Sequence, residues 1–501
     1  MIVAGWISVG LYVAFILIVV IRATRRTKDM TAYAVGNQQF SPIAVGLSLA
    51  TSTTSAATFV INPGFVAYYG ISGVLSMAIC LPLGVFVSLI VLSKGFRRVG
   101  TTVKALSLAQ WVGTRYQSKV LARLFAVLSL LLIAFIVLIC AGLTKVLVIT
   151  LQTDEFYTLM VLIAFTFSYM MFGGANSLIY TNLMQAIMKL IVAVILLGSG
   201  YMYFTNGFSG FLNRLTAIDP ALALPFNAQS PLFRDFFEVV ICQFIVGIAV
   251  VCQPHIITKS LLLKRDSDIN RYLFIGIAVQ IIFFSVVFTG LYARLTFPDL
   301  THNGQPIGLD SVMSIYAATK FSAFTGLLLM LGLLSSGLST LEGLIQSLSI
   351  TITTDLLKPM LGGKLPMPDV VMNRLIIAGL AVVSFFVSYN QLLHPDLSVG
   401  IFAQNAVYAY FAAMFIPVLF GTFLKHVSAI VPLAAALTGL GVHFTVYYGR
   451  LTPYLAEGTR NPGIAATLAI LSALLVGGVL QILLKSTLKN AVVDETNAVA
   501  S

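Results

Sequence analysis

Ser336, Ser339 and Thr340 stand in "LLSSGLSTLEGLIQS" at positions i, i+3 and i+4, so they share one face of a helix. Two adjacent hydroxyls and a carbonyl three to four residues earlier make a cluster of hard, neutral oxygen donors. Such a set suits a small alkali cation far better than a transition metal. A second stretch, "LATSTTSAATFVINPG" at residues 49 to 64, gathers hydroxyls inside an otherwise greasy segment and ends in Asn62-Pro63-Gly64. Proline removes an amide donor and clashes with the preceding turn, and helix ends leave backbone groups unpaired. Unpaired carbonyls are ruinous against lipid but useful beside an ion. If the interrupted backbone supplies the carbonyls of Thr51 and Thr54, the two stretches together form a five-oxygen cage for a monovalent cation. Taken one at a time these hydroxyls carry little information, because Ser and Thr also serve as small packing residues between membrane helices. The pairing of the two stretches is what points to a site.

Other chemistries find no support in the chain. Cys80, Cys140, Cys242 and Cys252 all fall within apolar spans without metal-ligand spacing, so neither disulfides nor zinc are expected. His255, His302, His394, His426 and His443 are dispersed and form no motif with cysteines or carboxylates, which argues against an enzyme. His255, beside Pro254, is expected to be a hydrogen-bonded residue at a helix break.

The elements that position these residues follow from composition. With 58% hydrophobic residues, 9% charged residues and a mean hydropathy of +0.98, the chain carries too much apolar surface for a water-soluble fold. It reads as an all-α polytopic membrane protein. Apolar runs long enough for a bilayer of roughly 30 Å give about thirteen spans: 2–22, 40–69, 71–94, 120–149, 155–173, 178–204, 235–258, 270–296, 312–354, 371–391, 397–424, 427–449 and 463–484. The first has no basic residue ahead of its apolar core and no small-x-small cleavage site, so it reads as a retained span.

Basic residues favour the cytoplasmic side. An external N-terminus places Arg22, Arg25, Arg26 and Lys28, then Lys94, Arg97, Arg98 and Lys104, then Lys259, Lys264 and Arg265, and finally Lys485 and Lys489 all inside. The net charge of +12 is accounted for by these loops facing anionic headgroups and calls for no nucleic acid. The expected localisation is the cell (inner) membrane, with a cytoplasmic C-terminus.

After the first span come five spans, a polar external loop, and five more. Five is odd, so the second set must run through the membrane opposite to the first, which is an inverted-topology repeat. The expected organisation is a first helix with a cytoplasmic linker (1–35), core repeat 1 (36–204), an external loop (205–234), core repeat 2 (235–425), and two peripheral helices with a short tail (426–501). The first helix of each repeat is expected to be discontinuous, marked by Pro63-Gly64 in one and by Gln253-Pro254-His255 in "VVCQPHIITK" in the other.

The stretches "SLATSTTSAATFVINPGFVAYYG", "GGANSLIYTNLMQAIM", "CQPHIITK", "SSGLSTLE" and "TRYQSKVLARL" resemble the solute:sodium symporter family, in particular its proline, pantothenate and sialic-acid branches. The resemblance covers nearly the whole chain. It implies a 5+5 inverted-repeat (amino-acid-transporter, LeuT-like) core and Na+-coupled symport of a small organic solute by alternating access. It also implies Na+ as the coupling ion, held by backbone carbonyls of Thr51, Thr54 and Ser336 and side-chain oxygens of Ser339 and Thr340. By the same resemblance Thr53, Ser55 and Thr58 face solute. Phe59, Cys80, Phe135, Val246 and Val250 are aligned by position around a largely apolar pocket, with Gln404 and Asn405 as polar contacts on the tenth core helix. The solute implied is a small carboxylate or amino acid, with a pantothenate-like acid among the candidates. The partners expected are that solute and membrane lipid, with a functional monomer.

Two departures from the family pattern stand out. The pair Thr181-Asn182 replaces the usual Thr-Asp of the fifth core helix, and Glu342-Gly343 replaces hydroxyl positions of the eighth. Burying a lone carboxylate costs about 2.5–3.5 kcal/mol on insertion scales, so Glu342 needs a partner or a proton. Lys189 lies two turns beyond Asn182 on the same face. Two readings follow: a second cation or proton site formed by Asn182, Glu342 and Lys189, or a plain Glu342–Lys189 ion pair. A proton-coupled or sodium-independent carrier using Glu342, and a transporter-like nutrient sensor, are the alternative functions.

Overall fold

The computed structural model describes residues 2–24, 27, 29–36, 40–394, 399–456 and 460–500. Arg25, Arg26 and Lys28 of the first basic loop lie outside the described residues. After α1 (Ile2–Thr24), Ser41 opens α2 (Pro42–Thr53) by accepting the Ala44 amide on its hydroxyl at 3.2 Å, and Pro42 sits in the first turn, where its missing N–H is no loss. α2 stops at Thr53. Thr54 is extended (φ −107°, ψ 110°), and the chain resumes as α3 (Ala57–Tyr69), bent 56° from α2.

The interruption therefore lies at residues 54–56, ahead of the Pro63-Gly64 pair that marked it in the sequence. A π-helical turn over Ala57–Ile61 precedes Pro63, which falls at the start of the α-helical part, where a proline is tolerated.

α4 (Ile71–Val103) and α5 (Lys119–Leu151) follow, then α6 (Glu155–Gly198). Residues 155–173 and 178–204, read as separate spans, are two helical segments that meet at a kink where Gly174 adopts φ 62°, ψ −161°, and the second α-helical segment ends at Gly198. The 205–234 segment holds a helix at Gly207–Ile218 and a 3₁₀ turn at Pro220–Ala223.

The second interruption separates α7 (Phe237–Val250) from α8 (Pro254–Leu262) with a 62° bend, and Pro254 begins the new helix. Then come α9 (Asp266–Thr296), α10 (Ala323–Met360), α11 (Asp369–Leu393), α12 (Val399–Phe423), α13 (Ile430–Gly449) and α14 (Pro462–Lys485). The 312–354 span is shorter than read. Val312–Lys320 is a separate helix, and α10 starts afresh after Ser322, whose hydroxyl accepts the Thr325 amide. Among the described residues ten helices are long and apolar enough to cross a membrane, or twelve with each bent pair counted as one span.

Two crossings organise the core, and they mirror each other. α2 packs on α9 through Gly46 and Gly276: a Cβ at Gly46 would come within 2.8 Å of the Tyr272 carbonyl, and one at Gly276 within 3.3 Å of the Gly46 carbonyl. α7 packs on α4 through Gly247 and Gly84: a Cβ at Gly84 would meet the Phe244 carbonyl at 2.2 Å, and one at Gly247 the Leu81 carbonyl at 2.2 Å. The first helix of each five-span set thus lies against the second helix of the other, at a distance only glycine permits. Around this core α1 and α11 turn apolar side chains outward, among them Trp6, Leu11, Leu375 and Phe386, as a lipid-facing surface requires.

Candidate functional site

The end of α2 points its last carbonyls at the middle of α10. Thr51 and Thr54 turn their own hydroxyls back along the helix, to Leu47 and Ser48 and to Ala50 respectively, so each presents a carbonyl to the interface. From α10 the Ser339 hydroxyl lies 3.1 Å from the Thr51 carbonyl and 3.1 Å from the Ser336 carbonyl. Thr340 Oγ1 lies 3.3 Å from the Ser52 carbonyl and 3.4 Å from that of Thr51. The oxygens singled out from sequence therefore come together across the break, and all five residues are fully buried.

A side-chain amine already stands among them. Lys189 reaches in from α6, and its Nζ donates to the Thr51 carbonyl at 2.9 Å, the Thr54 carbonyl at 2.6 Å and Ser339 Oγ at 2.9 Å. The Phe59 and Phe283 rings flank the ammonium at 5.8 and 5.6 Å. By type the oxygens fit a sodium ion. By geometry three of them are committed to Lys189.

This placement separates Glu342 from the two partners considered for it. Among the described residues no salt bridge joins Glu342 to Lys189. The carboxylate is instead held by three neutral donors on α6: Tyr169 OH at 2.6 Å, Gln185 Nε2 at 2.8 Å and Thr181 Oγ1 at 2.6 Å. Asn182 faces elsewhere, donating to Ser48 Oγ at 2.7 Å, so Asn182, Glu342 and Lys189 do not form one site. The donors are arranged this way because Thr181, Gln185 and Lys189 recur every four residues and line one stripe of α6.

Lys259, counted from sequence among the basic loop residues, is in fact buried in α8, with Nζ 2.8 Å from the same Ser48 hydroxyl. Sequence reading missed it because its position after Pro254 resembled a span end.

Beside the α2–α3 break lies a cavity of about 110 Å³. Thr53, Ser55, Thr58, Phe135, Val250 and Gln404 line it, as the sequence suggested. Phe59, Cys80, Val246 and Asn405 do not. Phe59 packs edge-on against Phe283 at 5.6 Å, Cys80 and Val246 are buried elsewhere in the helix packing, and Asn405 is taken by Tyr448 at 3.0 Å and His443 at 3.1 Å. The lining also includes Gln253 and His255 from the second break. His255 is not the hydrogen-bonded residue expected. Its ring stands edge-on to Phe135 at 6.2 Å, and neither ring nitrogen meets a protein partner.

Two interrupted helices whose breaks face a shared cavity, one of them closing an oxygen cage against a third helix, are the arrangement that membrane carriers of the inverted-repeat class use. The sequence model of the sodium:solute symporter family matches residues 33–439, and the chain belongs to that family. Among its relatives are the sodium/pantothenate symporter of Escherichia coli (strain K12), 31% identical over 54% of this chain and 56% of the relative, and the high-affinity proline transporter of Bacillus subtilis (strain 168), 24% identical over 89% and 92%. The match thus spans little more than half the length of the pantothenate symporter. In fold the chain is similar to a Na+-coupled sialic acid symporter solved in a substrate-bound outward-open state, with a TM-score of 0.76, 18% identity, and coverage of 96% of this chain and 98% of that one. The family and these relatives are transporters rather than enzymes.

Proposed function

We propose that this protein is a secondary active transporter that moves a small organic acid across the membrane by alternating access, with Na+ as the coupling ion. The observation that carries the reading is the meeting of both helix breaks at one cavity, with the oxygen cage one turn away. Opening or closing that break alters the solute contacts and the cage together. A ligand that prefers one arrangement shifts the equilibrium by its difference in affinity, and ion and solute reinforce each other reciprocally.

Thr53, Ser55, Thr58, Gln404, Gln253 and His255 are the polar solute contacts, and Phe135 and Val250 the apolar ones. A lining of hydroxyls, the Gln253 and Gln404 amides and an imidazole whose nitrogens have no protein partner suits a hydroxylated or amide-bearing monocarboxylate. Kinship with two sodium/pantothenate symporters, the second from Haemophilus influenzae at 28% identity, supports a pantothenate-like acid.

The orientation has the N-terminus outside. Counting α6 as two crossings at Gly174 gives thirteen in all, in the cell (inner) membrane, with repeats at 36–204 and 235–425. The protein works as a monomer.

Counterflow in proteoliposomes tests the reading. Vesicles loaded with unlabelled pantothenate or proline and diluted into a trace of the labelled compound in Na+ are expected to accumulate label transiently for pantothenate, and His255→Ala to weaken its apparent affinity about tenfold by removing one polar contact. Binding of pantothenate without counterflow would leave a nutrient sensor as the answer.

A further inference from the structure

We propose that the ammonium of Lys189 is a tethered occupant of the cation cage, so that Na+ and Lys189 are alternate ligands of the same oxygens and Na+ enters only when the lysine withdraws. This inference deepens the transport reading and rests on it only for the meaning of the cage. The geometry itself stands on the three hydrogen bonds of 2.6–2.9 Å from Nζ to Thr51, Thr54 and Ser339. Two of the acceptors are backbone carbonyls at the α2 terminus, and the third is a hydroxyl of α10. The lysine therefore makes the bridge between the two elements that a bound ion would make.

The groups around the amine are ones that suit a cation: α2 contributes carbonyls, α3 the face of Phe59, α9 the face of Phe283 and α10 the hydroxyl of Ser339. A second cation in the cage would sit within bonding distance of the same oxygens as the ammonium, where two like charges compete for one set of acceptors and repel at close range. Double occupancy is thereby excluded.

A built-in competitor has a measurable consequence. When the binding-competent form is only a fraction of the population, the apparent dissociation constant rises by the inverse of that fraction. If Lys189 fills the cage nine-tenths of the time or more, removing it tightens Na+ binding by about tenfold or more.

The test is cation-specific thermal stabilisation of the detergent-purified full chain, titrated with NaCl at constant ionic strength against choline chloride at one pH, with no solute present. Lys189→Ala is expected to respond to Na+ at a concentration at least about tenfold lower than wild type, and the gain is expected to vanish in Lys189→Ala/Thr340→Ala. A wild type that shows no Na+ response while Lys189→Ala does supports the same conclusion. Equal or weaker Na+ stabilisation in Lys189→Ala, or none in either protein, overturns it.

Should Lys189→Ala fail to fold, Ser339→Ala supplies the second arm. It deprives the ammonium of a partner and is expected to lower the melting temperature in sodium-free choline buffer, and an unchanged melting temperature there overturns the proposal. Because these readouts measure ion binding and stability alone, they stand apart from counterflow, whose failure would bear on transport and not on the cage.

Discussion

At the scale of single residues, the buried polar groups of α6 and α10 divide their work. Lys189 serves the cage, while Glu342 is satisfied by Tyr169, Thr181 and Gln185. A buried donor stripped of its acceptor loses about 1–3 kcal/mol. Glu342→Ala orphans three donors at once, and a large drop in melting temperature is expected. Glu342→Gln keeps the shape and one carbonyl acceptor but sets an amide N–H against a donor, and is expected to fall between wild type and Glu342→Ala. Thermal denaturation of the purified protein orders the three. If both variants melt together with wild type, the carboxylate is not held by this network.

At the scale of elements, the fold depends on two close helix crossings, α2 on α9 and α7 on α4. A side chain at Gly84 would place its first carbon 2.2 Å from a backbone carbonyl of α7, which rotamer adjustment cannot relieve. Overpacking of this kind costs about 1–3 kcal/mol or more. Gly84→Ala is therefore expected to lower the melting temperature sharply and reduce the yield of monodisperse protein. Gly198→Ala, at the end of α6 with nothing within 4 Å of the added carbon, is expected to be neutral or slightly stabilising. Size-exclusion profiles after stepwise heating check both, and equal behaviour of the two variants would contradict the crossing geometry.

At the scale of the whole molecule, the proposed inverted repeat runs the two interrupted helices oppositely through the membrane, so the segments before α7 and after α8 are expected on opposite sides. Ser209 lies in the segment before α7, and Lys264 just after α8. Both are exposed, whereas the native Cys80, Cys140, Cys242 and Cys252 are buried and give little background. In intact cells a membrane-impermeant maleimide is expected to label Ser209→Cys, and Lys264→Cys only after permeabilisation. Labelling of both from one side would refute the proposed threading of the α7–α8 pair, and reversal of the two would invert the orientation.

Sequence by itself determined the membrane class, the existence of two interrupted helices and the oxygen donors of the cage, because these depend on local properties: hydropathy over a span, proline at a break, hydroxyls on one helix face. The lining residues Thr53, Ser55, Thr58, Phe135, Val250 and Gln404 were reached through the family resemblance, by aligned position rather than by any local signal. Only the tertiary structure decided where Lys189, Lys259, Glu342 and His255 go. Each is a long or ionisable side chain on one helix whose partners lie on another, 135 or more residues away for Lys189 and 157 or more for Glu342's side-chain partners on α6. Which of several oxygens a buried polar head takes is settled by how α2, α6 and α10 meet, and helical spacing within one span cannot reveal that.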